Sequence, residues 1–331
     1  MTRMAPRRWT PPQPTPRATQ KRSSPPLPPV RRIELSAPGP EDLVLRNGRI
    51  ITGVSDGSVL SIDPDDGSIS TVVNTGGRPL GLNANSDGSL LICDHDRGLL
   101  RLPHDGGELE VLVDTIDGER LTFASNVVQA DDGTIYFSAS SRRWTLEHYT
   151  ADLLEHSGTG RLLRRDPTGK VDTLLDGLHF ANGVVLSPDN SCVVVAESGA
   201  FRVTRYWLTG TKAGTHDVLI ENLPGFPDNM SLGSDELVWI TIASPRNPLL
   251  DRLLPLPGVL RKLVWALPER FKPAAAHTTW VMAVDFTGRV VHDLQNDDDT
   301  YCMVTGVVED NETLYLGSLT EHAIAISHVP A

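Results

Sequence analysis

Four short phrases of this chain carry oxygen-bearing side chains where a cation or a carbonyl could be held. They are ASNVV (Asn126), FANGV (Asn182), PDNM (Asp228 and Asn229) and, near the start of the folded part, GPEDLV (Glu41). The first three stand just ahead of short apolar runs that read as β-strands. One or two carboxylates with amide carbonyls make a hard-oxygen set. Calcium accepts about six to eight such ligands in flexible geometry, whereas zinc usually takes imidazole and thiolate. The set therefore points to Ca2+, or to another divalent cation such as Mg2+, Mn2+ or Zn2+. Taken singly, an Asn ahead of a strand serves equally well as a turn residue bonded to its own backbone. Its return in successive segments is what makes the group a candidate site.

The elements that must position these residues repeat along the chain. The expected first strands are GRIITGV (48–54), GSLLICDHDRGLLRL (88–102), GTIYFSASS (133–141), NSCVVVAESGAFRVTRYWL (190–208), ELVWITIAS (236–244) and ETLYLGSLTEHAIAISHV (312–329). Pairs such as Asp56-Gly57, Asp66-Gly67, Asp87-Gly88 and Asp132-Gly133 supply the positive-φ residues of tight hairpins. A unit of roughly 40–50 residues built from four short strands is a propeller blade. The fold class is thus all-β, a six-bladed β-propeller with short helical or irregular insertions, over residues 37–331. A β-sandwich with coincidental spacing is the alternative. In a propeller the residues just before each inner strand face the axial pocket, which would bring Asn126, Asn182, Asp228 and Asn229 together. Ring closure would carry Glu41 beside them, with a strand near 42–45 joining the last blade so that no sheet edge is left open.

Outside the repeats, residues 1–36 are rich in Pro, Arg, Ser and Thr, with almost no acid. Proline density and sparse apolar residues read as a disordered tail. It contains no signal-peptide core and the chain holds no apolar run of about 18 residues, so a cytoplasmic location without a membrane span is expected. A net charge of −12 excludes an electrostatic nucleic-acid footprint. Two insertions interrupt the blades, 142–160 and 245–275. The second mixes Leu, Val and Trp with basic groups and reads as a pocket lid, a weak peripheral membrane contact or an ordinary packed insertion.

The phrases GPEDLVL, GGRPLGL, FANGVVLSPDN, RYWLTG, LPGFPDNM, SPRNPLLD and LYLGSL, in that order over about residues 38–329, resemble the strictosidine synthase-like family. That family belongs to the wider superfamily of gluconolactonases and paraoxonase-type lactonases. The resemblance implies a six-bladed propeller with metal-dependent hydrolase relatives. It matches the superfamily's metal ligands to Glu41, Asn126, Asn182, Asp228 and Asn229. It also likens ICDHDRGLL to the lactonases' histidine-bearing strand, which would set His95 near the pocket with Arg97 behind it. Two positions depart from the pattern. Val127 stands where paraoxonase-type enzymes place an Asp for a second, structural calcium. Thr305 stands where strictosidine synthase has its catalytic Glu, the nearest acid being Glu309, which argues against the condensation of the family's name.

What the resemblance implies for chemistry is hydrolysis of a lactone or related ester. The metal would act as Lewis acid on the carbonyl, and Asp228, or alternatively His95, would activate water. Partners would be a small-molecule lactone, ester or natural product. A biosynthetic cyclase, isomerase or condensing enzyme, or a non-catalytic scaffold, are the competing readings, because propellers host many functions.

Overall fold

The computed structural model describes residues 3–268, 276–297 and 300–330. Six four-stranded antiparallel sheets follow one another along the chain, each a blade. Their inner strands are Leu43–Arg46, Pro79–Ala84, Ala124–Gln129, Ala181–Leu186, Gly225–Leu232 and Val304–Asp310. The fold is the six-bladed β-propeller that the repeat implied. The repeated apolar runs, however, are second strands of the blades. The phrases expected to precede the inner strands are the inner strands themselves.

Closure uses a different segment from the one expected near 42–45. Arg31–Glu34 pairs antiparallel with Ala323–His328 and forms the outer strand of blade 6, whose other three strands come from the C-terminal end. Leu43–Arg46 is instead the inner strand of blade 1. The ring thus begins at Arg31, not at residue 37.

The segment expected to be a disordered tail is also laid onto the ring. Leu27 is fully buried among Trp239, Tyr301, Val304 and Leu314. Arg17 lies 4.2 Å over the Trp280 ring and grips both oxygens of Asp293, at 2.6 and 2.8 Å. Trp9 stacks on His156 with centroids 4.2 Å apart. Few apolar residues are present, but Leu27 enters the ring and Met4 packs against Trp144 and Ala151 of the first insertion. The prolines restrict the unfolded chain and so reduce the entropy lost on docking.

Between the blades, inward strand residues interlock as in any close-packed interior. Val194, Phe201, Ile240 and Trp280 form one such layer, and Leu91, Val127 and Phe137 another. Both insertions fall in the connection between second and third strands, in blades 3 and 5. In an up-and-down blade that connection emerges at the end where the inner strand begins, so the insertions lie over that mouth of the channel. The first holds a short helix, α1 (Tyr149–Glu155). The second holds α2 (Pro248–Leu253), capped by the Asn247 side chain, and α3 (Gly258–Trp265). Residues 269–275 of that insertion lie outside the described residues. Among the described residues no helix is long and apolar enough to cross a membrane.

Candidate active site

Five of the six inner strands carry a register shift near their start, at Pro79/Leu82, Ala124/Val127, Ala181/Val184, Pro227/Met230 and Val304/Gly306. A β-bulge breaks the alternation of a strand and turns adjacent side chains to new directions. The skipped residues are Leu80-Gly81, Ser125-Asn126, Asn182-Gly183, Asp228-Asn229 and Thr305, and blade 1 contributes Glu41-Asp42 just ahead of its inner strand. All converge on the axis in two layers.

The upper layer opens into a cavity of about 260 Å³ lined by Glu41, Ser125, Asn182, Asp228 and Thr305. Ser125 Oγ donates to Asn182 Oδ1 at 3.0 Å, and Asn182 Nδ2 donates to Asp228 Oδ1 at 2.6 Å. Thr305 Oγ1 donates to the Glu41 carbonyl at 2.8 Å. The walls are apolar. Phe123 and Phe180 meet edge to face at 5.4 Å, and Tyr149, Leu153, Leu250 and Leu253 come down from the insertions.

The lower layer is a hub of three polar residues. Asn126 Nδ2 donates to Asp42 Oδ2 and to Asn229 Oδ1, each at 3.1 Å. Asp42 Oδ2 also accepts the Leu82 amide at 3.0 Å. Glycines in the alternate blades make room for it. A Cβ on Gly81 would lie 2.4 Å from Asn126 Cα, one on Gly183 2.4 Å from Met230 N, and one on Gly306 2.8 Å from the Glu41 carbonyl oxygen. Beneath the hub a second cavity of about 400 Å³ opens at the opposite mouth, lined by Asp42 and Asn126.

The axis concentrates negative charge. Burial, and then the charges of Asp228 and Asp42, push Glu41 well above the ordinary carboxylate range, against the opposing charge of Arg78. Burial raises Asp42 and Asp228 each to about 7, although hydrogen bonds from Leu82 and Asn126 to the one, and from Asn182 to the other, favour their charged forms. Glu41 Oε2 is buried without a hydrogen-bond partner. Two buried carboxyls and the half-buried Asp228 around one axis, one with an orphaned oxygen, suit a hard cation, and the oxygen-only donor set suits calcium. Among the described residues no three His, Cys, Asp and Glu side chains form a cage, so amide and hydroxyl oxygens would complete the shell.

Of the five ligands expected from sequence, Glu41, Asn182 and Asp228 face the upper cavity, and Asn229 lies directly beneath. Asn126 departs from the expectation. Its Oδ1 accepts the Val184 amide at 2.9 Å, so it turns its NH2 to the axis and braces the hub instead of offering an oxygen. His95 departs as well. Its Nε2 accepts the Leu146 amide and its Nδ1 pairs with Asp96, each at 2.9 Å, which leaves no lone pair for water and makes it an anchor of the first insertion. Asp42 and Ser125 were missed as axial groups, while Thr305, matched to the catalytic-Glu position, does line the cavity. Asp42 and Ser125 adjoin residues that were singled out, and a bulge that projects two neighbours inward is the signal that would have found them.

Fold and axial site together define a six-bladed propeller with a buried carboxylate–amide centre. The strictosidine synthase family matches residues 125–211, and the strictosidine synthase-like N-terminal family residues 27–62. Protein strictosidine synthase-like 6 of Arabidopsis thaliana is 33% identical over 287 residues, covering 85% of this chain and 76% of the relative. The adipocyte plasma membrane-associated protein of Bos taurus is 33% identical over 315 residues, covering 87% and 75%. The chain belongs to the strictosidine synthase-like family. Its fold is shared with a gluconolactonase of Xanthomonas campestris (TM-score 0.66, 16% identity, 92% of this chain and 91% of that one). It is also shared with the calcium-binding protein regucalcin of Agrobacterium tumefaciens (TM-score 0.62, 14% identity, 91% and 94%).

Proposed function

We propose that the protein is a metal-dependent hydrolase of lactones or related esters, with Asp228 as the general base. The observation that carries this reading is the place of Asp228, half-buried in the wall of an apolar cavity with its carboxyl held by the Asn182 amide at 2.6 Å. The Asn182 amide fixes the carboxylate through Oδ1 and leaves Oδ2 for a water proton. Ser125 holds Asn182 in that orientation. The aromatic and leucine walls exclude bulk water and receive the organic part of an ester. A calcium-class cation held by Glu41 and Asp228, beside Asn182 and Asn229, would supply the positive charge that polarises the carbonyl.

Condensation chemistry is disfavoured by the last blade. Thr305 carries no acid, and Glu309 is spent on the Ser234 amide at 2.7 Å and the Glu312 amide at 2.7 Å, outside the cavity. The test is a panel of lactones and aryl esters assayed with calcium and again after chelation. The expected result is hydrolysis that chelation abolishes and calcium restores. Absence of turnover across the panel would overturn the reading.

A further inference from the structure

We infer that the outer face of the second insertion docks the protein onto an anionic lipid surface. An ordinary surface helix turns its apolar stripe to the core and its charges to water. α3 does the opposite. Leu256, Val259, Leu260, Leu263 and Leu267 follow helical spacing, yet all are exposed, Val259 and Leu263 at 59% and 61%. Leu249, at the start of α2, adds to the same exposed set.

The residue that α3 buries is Arg261. Its guanidinium donates to the carbonyls of Leu154 and Arg7, at 2.9 and 2.8 Å. The helix is therefore held by its cation together with Val264 and Trp265, which meets Trp144 at 5.9 Å, and its leucines are left outward. Gly258 rests against Pro6, where a Cβ would lie 3.0 Å from the Pro6 Cβ, so the helix packs closely on the N-terminal segment. Apolar clusters of this kind on a water-soluble surface mark an interaction site.

Charge selects the occupant. The chain carries a net −12, yet residues 245–268 hold Arg246, Arg252, Arg261 and Lys262 against one acid, Asp251, which is bound to Arg246. Arg252 and Lys262 are exposed, as are Arg3, Arg7 and Arg8 on the segment that borders α3. Leucine and valine ringed by lysine and arginine is the composition of a helix that lies in the interface of an anionic membrane. The same insertion roofs the apolar cavity through Leu250, Leu253 and Val264, so docking would set that cavity against the source of an apolar ligand.

The experiment is co-sedimentation of the full chain with phosphatidylcholine vesicles, with and without phosphatidylserine. The wild type should sediment with the anionic vesicles at low salt and be released at high salt. Val259→Glu with Leu263→Glu should lower partitioning at least about tenfold. Arg252→Gln and Lys262→Gln should each lower it about fivefold. Ile69→Glu with Val111→Glu, on exposed outer strands of other blades, should leave it unchanged. Unaltered melting temperatures would show the variants folded, and Val259→Ser with Leu263→Ser replaces the glutamate pair if it does not fold. Three results would overturn the proposal: no association of the wild type with either vesicle, equal loss in the control pair, or self-association in ultracentrifugation that the α3 substitutions abolish without any vesicle binding.

Discussion

Asn182 reaches from blade 4 into blade 5 and donates its amide to Asp228 Oδ1 at 2.6 Å. On its other side it accepts the Ser125 hydroxyl of blade 3 at 3.0 Å. A single asparagine thus links three blades and orients Asp228, whose carboxyl stands in the cavity wall. The inner-strand bulges make this link possible, because unbroken alternation would turn one of two neighbouring side chains away from the axis.

Asp228→Asn should leave the propeller folded, since the side chain is nearly isosteric, and should lower ester hydrolysis by about two to four decades. His95→Gln should cost far less, because the histidine has both nitrogens engaged with Leu146 and Asp96. Rates for both variants at saturating calcium decide the order. An active Asp228→Asn beside an inactive His95→Gln would reverse the assignment.

Gly183 tests the close approach of blades 4 and 5. Its φ is not in the left-handed region, so an alanine meets only a steric obstacle, Met230 N at 2.4 Å and Asn229 Cα at 2.8 Å. Gly183→Ala should cost about 1–3 kcal/mol, as overpacking of a tight interior does. Its melting temperature should fall by several degrees. Gly107→Ala, where the nearest atom lies at 3.3 Å, should change little. Equal melting temperatures for the two would remove the glycine contacts from the account of how the hub is built.

Much of this was legible in sequence because the repeat is local. Turn dipeptides and apolar runs recur within each blade, and six copies settle the ring. The error over which strand is inner has a plain cause: Asn, Asp and Gly in ASNVV, FANGV and PDNM lower apparent strand propensity, yet a bulged inner strand needs them. Asn126 was misread because residue type gives its two polar atoms but not which faces the axis. The Val184 amide decides that, and it lies 58 residues away. The N-terminal segment was misread because composition averages over positions, whereas Trp9, Arg17 and Leu27 each act through one specific groove.

His156 gives the fold a definable acid sensitivity. It is buried between Trp9 and His179, at ring separations of 4.2 and 3.8 Å. Burial, with the charges of His179 and nearby arginines, lowers it to about 2. The unfolded chain binds this proton below about 6.5 and the folded chain does not, so stability is full above that value and falls as pH drops towards the folded pKa. At pH 5 the loss from this one group is bounded at about 2 kcal/mol. His156→Asn, which tolerates the left-handed backbone at φ 54°, should flatten the difference between urea melts at pH 7.5 and pH 5. A wild type equally stable at both values, with no change in the variant, would discard the assignment.

Calcium should stabilise the protein through the axial carboxylates. Glu41 and Asp42, both buried, and the half-buried Asp228 bring three acids together, and Arg78 is the cation whose charge opposes the rise at Glu41. A ligand that binds only the folded state adds stability in proportion to the logarithm of its excess, about 2.7 kcal/mol at a hundred times Kd. For a chain of this size that is a rise of several degrees in Tm. Glu41→Gln keeps the shape and replaces a carboxyl that, without metal, burial and the charges of Asp228 and Asp42 push towards its protonated form. The variant without metal should therefore melt at or above the wild type without metal, while its calcium-dependent rise should shrink or vanish. That crossing of the two orders separates a metal ligand from a structural acid, whose loss would lower Tm under both conditions. If the wild type shows no shift with Ca2+, Mg2+, Mn2+ or Zn2+, the axial carboxylates hold protons instead of a cation, and the hydrolase would have to act through Asp228 and the apolar cavity alone.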